Sequence, residues 1–144
     1  MPYTPFTLSE LRLIFQLSET GGGHAGQCHV GIDNDSLWGR VQDYQGSGIA
    51  ARTAFLSFND QLQAALEVLN APANSAALED FRVNKRPGRP YCEISHGLAA
   101  PMRMRYGMGG GAKTFPCRLV TVVLDKNLAR PRQMHVVTCF GEMG

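Results

Sequence analysis

The stretch from Cys117 to Phe140, CRLVTVVLDKNLARPRQMHVVTCF, decides the fold class. Cys117 to Leu124 is rich in β-branched residues, Asp125 to Pro131 offers a polar connection, and Met134 to Phe140 returns as a second strand-like run, so the spacing predicts a C-terminal hairpin. Upstream the periodicity changes. Thr7 and Glu10 have the spacing of a capping box, with Phe6 placed to staple against Leu11. A helix is expected from Leu8 to Thr20, with Leu8, Leu11, Ile14 and Phe15 as its apolar stripe and Gly21 to Gly23 as its stop. A second begins at Asp60 as N-cap and repeats Leu62, Ala65, Leu66 and Leu69 at i, i+3, i+4 and i+7, the clearest amphipathic pattern in the chain. Helices first and strands last favour an α+β fold, N-terminal helices packed on an antiparallel sheet, over alternating βαβ units.

The 144 residues fit one domain, 1–144. The 16 glycines and 8 prolines point to many loops. A net charge of +2 excludes a strongly basic molecule, so any nucleic-acid role rests on local clusters. No apolar run approaches the ~20 residues of a membrane span, and MPYTPFTLSE lacks the basic-then-apolar order of a signal peptide. A soluble chain is expected, one that reaches any exterior by another route or as part of a larger parent. Cys28, Cys92, Cys117 and Cys139 are scattered; buried free thiols are favoured over a structural disulfide in a chain long enough to build a core.

Between the two long helices, short helical elements are expected: one carrying His24, Cys28 and His29 and stopped by Gly31, another capped by Asp33 or Asp35 and carrying Leu37, Arg40 and Val41. Arg82 to Pro90, RVNKRPGRP, is a basic surface loop on this reading, followed by a short strand near Tyr91 to Ile94.

Three patterns invite chemistry and fail on physical grounds. Gly107 to Thr114, GMGGGAKT, differs by one residue from a phosphate loop, with Ala112 where the last glycine belongs. A phosphate loop also needs a helix after it, whereas Phe115 and Pro116 lead into a strand-like run. His24, Cys28, His29, Cys92 and His96 offer zinc-ligating types in an unfamiliar spacing, so no metal site and no cofactor is assigned. Cys28 and His29, as neighbours on a helix, point about 100° apart, which argues against a thiol nucleophile with its base.

The remaining pattern is Gly22-Gly23-His24 with His29-Val30-Gly31, then Leu37 and Arg40, then Ser57-Phe58-Asn59-Asp60 opening a helix, and finally Val136-Val137-Thr138-Cys139-Phe140-Gly141. In order and spacing these resemble the bacterial ribonuclease A-like toxin domains at the C-termini of contact-dependent-inhibition and other polymorphic toxins. The resemblance runs from about residue 19 to residue 141, and Ala71 to Lys113 carries little of it. It implies a curved antiparallel sheet, a metal-independent endoribonuclease, and an antibacterial toxin delivered by a larger protein or secretion system. The toxin would act in the target-cell cytoplasm and be neutralised at home by an immunity protein. His29, Arg40 and Thr138 fall on the family's active-site positions.

Those residues also suit the chemistry. Cleavage by 2′-hydroxyl attack needs a base for that proton and donors for the phosphorane oxygens. Histidine titrates near neutrality and arginine offers a fixed fork of donors. Phe140 stands where relatives can carry tyrosine, which leaves it base stacking or core packing. His24 is either a helix-end structural group or the missing acid. Arg86, with Arg82, Lys85 and Arg89, offers phosphate contacts; alone they would make a non-catalytic RNA-binding module, and a toxin with another substrate is a further alternative. Which RNA is cut, tRNA, ribosomal RNA or RNA in general, stays open.

Strand alternation sharpens one choice. Met134, Val136, Thr138 and Phe140 share one face of a regular strand, and His135, Val137 and Cys139 the other. With Thr138 facing the cleft, His135 is expected to point away unless a bulge intervenes, which leaves the donor to the leaving oxygen unassigned.

Overall fold

The computed structural model describes residues 3–20, 30, 52–84, 91–107 and 114–142. Helix α1 spans Leu8–Thr20, and its first turn is capped as the sequence requires, the Glu10 amide donating to Thr7 Oγ1 at 3.2 Å. Leu11, Ile14 and Phe15 are buried along its stripe. Strand β1, Arg52–Phe55, leads into α2, Phe58–Asn70. The cap of α2 is Ser57, whose side chain accepts from the Asp60 amide, so Asp60 lies inside the first turn rather than at the cap. There its carboxylate still favours the positive end of the helix dipole.

A 3-10 turn, Pro72–Asn74, joins α2 to α3, Ser75–Asn84. Helix α3 was not anticipated: it buries only Leu78 and Phe81, too thin a stripe to stand out as an amphipathic repeat. Arg82, expected in a basic loop, sits in its last turn and pairs with Glu79. Strand β2 runs over Cys92–Gly107, far longer than the short strand expected near Tyr91 to Ile94. It accommodates Pro101 because its pairing with the next strand shifts register between Gly97 and Met102, and proline is tolerated at such an irregularity.

Strands β3, Thr114–Lys126, and β4, Met134–Glu142, form the predicted hairpin. The four strands make one antiparallel sheet in the order β1-β2-β3-β4. A single apolar cluster joins the buried faces of α1, α2 and α3 to Ile94, Val120, Val122, Leu124, Val136 and Cys139. The fold is therefore α+β with its helices on one face of the sheet. Although β1 and β4 are not ladder neighbours, Thr53 donates its hydroxyl to the Gly141 carbonyl, so the outer strands approach and the sheet curves. Gly141 permits that curvature: a Cβ there would stand 2.4 Å from Met104 Sδ.

The connection between β3 and β4 ties down the N-terminal segment. Arg132, at φ 54°, forms two 2.8 Å bonds to the Glu10 carboxylate, donates to the Thr4 and Pro5 carbonyls, and lies 3.9 Å over the Phe6 ring. Asn70 at the end of α2 exchanges a reciprocal pair of hydrogen bonds with the Phe6 backbone, at 2.8 and 3.1 Å.

Candidate functional site

The face of the sheet turned away from the helices carries an unusual set of side chains. Paired residues in an antiparallel ladder point to the same side. With Val122 and Leu124 in the core, their neighbours Thr121, Val123 and Asp125 take the opposite face of β3. From β2, Glu93 and Ser95 join them, paired with Val123 and Thr121. From β4 come Phe140, opposite Thr121, and Thr138, opposite Val123.

His135 comes too, and here the strand-parity expectation is overturned. Thr138 pairs with Val123 but Val136 pairs with Leu124, so Val137 is an extra residue in β4, a bulge. Alternation slips by one at that point. Met134 and Val136 face the core on one side of the bulge, and Cys139 faces it on the other. His135, opposite Asp125, therefore shares the outer face with Thr138 and Phe140 instead of opposing them. The sequence held a signal for this: cysteine is among the most readily buried residues, and placing Cys139 in the core already breaks phase with Met134 and Val136.

Thr138 is 8% exposed, and its hydroxyl has no hydrogen-bond partner among the described residues. The neighbouring hydroxyls are satisfied: Ser95 Oγ and Thr121 Oγ1 lie 2.7 Å apart. Val123 and Thr121 are likewise buried, at 6% and 3% exposure. His135 is half-buried, as is Phe140, which stands outside the main apolar cluster. Burial holds the His135 imidazole below the ordinary histidine pKa; the Asp125 carboxylate opposes that shift, and the Arg130 charge adds to it. Asp125 is itself held in place by the Lys126 amide, which donates to its Oδ1 at 2.9 Å.

Thr138 and Phe140 are thus brought to one face, with His135 beside them. His24, His29, Arg40 and Arg86 lie outside the described residues, as do the short helical elements expected around them.

The structure disposes of the competing patterns within reach. Thr114 opens β3, so a strand follows the GMGGGAKT stretch where a phosphate loop requires a helix. Cys92 and His96 are four residues apart on β2, roughly 13 Å at strand rise, too far to share an ion. Cys92, Cys117 and Cys139 are free thiols. Burial pushes the thiol pKa values of Cys117 and Cys139 up, which suits core residues rather than nucleophiles. Cys28 lies outside the described residues.

No protein family model matches this chain, and no curated protein matches it in sequence. Its fold is that of a chain in the crystal structure of a CdiA-CT/CdiI complex from Y. kristensenii 33638. The likeness has a TM-score of 0.64 at 16% sequence identity and covers 83% of this chain and 99% of the other. At that identity the shared property is the fold. Among the described residues no helix is long and apolar enough to cross a membrane.

Proposed function

We propose that this chain is the ribonuclease A-like toxin domain of a contact-dependent-inhibition system, a metal-independent RNA endonuclease. The observation that carries the reading is the likeness, over nearly the whole of its length, to a chain from a CdiA-CT/CdiI complex. The sequence resemblance points to the same class of toxin from different grounds, namely the order of its His29, Arg40 and Thr138 segments.

In this reading His29 takes the proton from the 2′-hydroxyl as that oxygen attacks phosphorus, Arg40 neutralises the phosphorane, and Thr138 donates its hydroxyl to a phosphate oxygen. The unpartnered Thr138 hydroxyl suits that role, because a buried donor left without a protein acceptor keeps its hydrogen bond for a ligand. Phe140 stacks on a base from the same face. The products are a 2′,3′-cyclic phosphate and a free 5′-hydroxyl, with no metal or cofactor in the cycle. The partners are RNA, a larger delivery protein or secretion system, and a cognate immunity protein; the site of action is the target-cell cytoplasm.

Inducible expression inside bacteria tests this. Growth arrest with prompt RNA fragmentation is expected, relieved by the cognate immunity protein and by His29→Ala, which should lower cleavage by at least ~10²-fold. Arrest with RNA intact would instead select a toxin of another substrate class, and RNA binding without fragments a non-catalytic module.

A further inference from the structure

We infer that His135 is the group that protonates the departing 5′-oxygen, working from the sheet face it shares with Thr138. This rests on the ribonuclease reading above and completes it. The bulge at Val137 is what makes the assignment possible, since it sets His135 opposite Asp125 and Thr138 opposite Val123 on one side of the sheet. The two ladder positions are about 7 Å apart at strand rise. That is a span one nucleotide's phosphate and sugar can bridge.

Chemistry narrows the choice on that face. Ser95 and Thr121 are engaged with each other, and a threonine hydroxyl such as that of Thr138 is too weak an acid to release a proton to an alkoxide. Asp125 is a carboxylate and Phe140 has no proton to give. Glu93 is exposed on β2, across β3 from His135. Among the described residues of the face, His135 is the group that titrates near neutrality and is open enough to meet a ligand.

The charges around it suit the role. Asp125 faces it from β3, fixed by the Lys126 amide, and can hold a protonated imidazole; Arg130 acts on it from the connection between β3 and β4. In the step itself the 2′-oxygen forms its bond to phosphorus and yields its proton to the base. The bond from phosphorus to the 5′-oxygen breaks, and the His135 imidazolium proton passes to that oxygen, leaving neutral His135.

Leaving-group dependence tests the assignment. Purified wild type and His135→Gln are compared on the dinucleotide UpA and on uridine 3′-(4-nitrophenyl phosphate), whose nitrophenolate departs without protonation. The expected result is a loss of ~10²-fold or more in kcat on UpA with the nitrophenyl ester cleaved within about threefold of wild type. An equal loss on both substrates, or undiminished UpA cleavage, overturns the assignment while leaving the ribonuclease reading intact. A wild type inactive on both removes the reading and the assignment together. Should His135→Gln not fold, Asp125→Asn decides: the alkaline limb of kcat/KM moves to lower pH if Asp125 supports an imidazolium donor, and an unmoved limb overturns the proposal.

Discussion

Thr138 buries a hydroxyl for which no described residue supplies a partner, and such a group costs ~1–3 kcal/mol of stability. Thr138→Val replaces it with a methyl of the same shape. Urea unfolding should show the variant at least as stable as wild type, by up to ~1 kcal/mol, while RNA cleavage falls by ~10-fold or more. A loss of both would make the residue structural. Arg132 carries the opposite expectation. Its guanidinium joins Glu10, two backbone carbonyls and the Phe6 ring, so Arg132→Ala should cost about 2 kcal/mol, and Lys, lacking the planar fork, should recover little of it. The site was legible at this scale only where a residue's chemistry announces a role. Thr138 could be singled out because it aligned with a known pattern, but that its hydroxyl lacks a partner is a property of its surroundings. The Arg132 contacts join residues more than 120 positions apart in the chain, and no local pattern encodes them.

Elements were readable in proportion to how much apolar surface they bury at a regular period. Helices α1 and α2 and the β3-β4 hairpin each carry a long repeat. Helix α3 carries two buried residues, and β1 is four residues long. Strand β2 did hold a signal, the alternation of Met102, Met104 and Tyr106 with Arg103 and Arg105, but Gly97 and Pro101 interrupt it just where the register shifts. The bulge at Val137 is the costliest element-scale omission, because one extra residue reverses which side chains share a face. It also makes a pH prediction. A histidine whose folded pKa lies below its unfolded value of about 6.5 favours the neutral form in the fold, so its stabilising effect is full above that pH and declines as pH falls through it. Between pH 7 and 5.5 the unfolding midpoint should therefore drop, and His135→Gln should drop less over the same range. At the other end of β3, Lys126 is 5% exposed and donates to the Phe81 and Arg82 carbonyls at 3.1 and 2.9 Å, satisfying orphan acceptors in the last turn of α3. Lys126→Met should cost ~1–2 kcal/mol in chemical denaturation, as those carbonyls lose their donor.

At the scale of the whole molecule, three described helices cover one face of a curved four-stranded sheet and leave the other to Thr138, His135 and Phe140. The α+β class followed from helices preceding strands, and the curvature follows from contacts no periodicity reveals, Thr53 reaching Gly141 and Gly141 yielding room to Met104. The same architecture in a chain of a CdiA-CT/CdiI complex at 16% identity shows how little sequence the fold requires. What it requires is the phase of the apolar positions, and chemistry resides in the few residues placed on the uncovered face. Incubation of purified protein with RNA in excess chelator, with the 3′ ends of the products identified by mass, tests the proposed activity most directly. Fragments ending in 2′,3′-cyclic phosphate, lost in His29→Ala, are the expected result; RNA that stays intact, or cleavage that leaves 3′-hydroxyl ends, would contradict it.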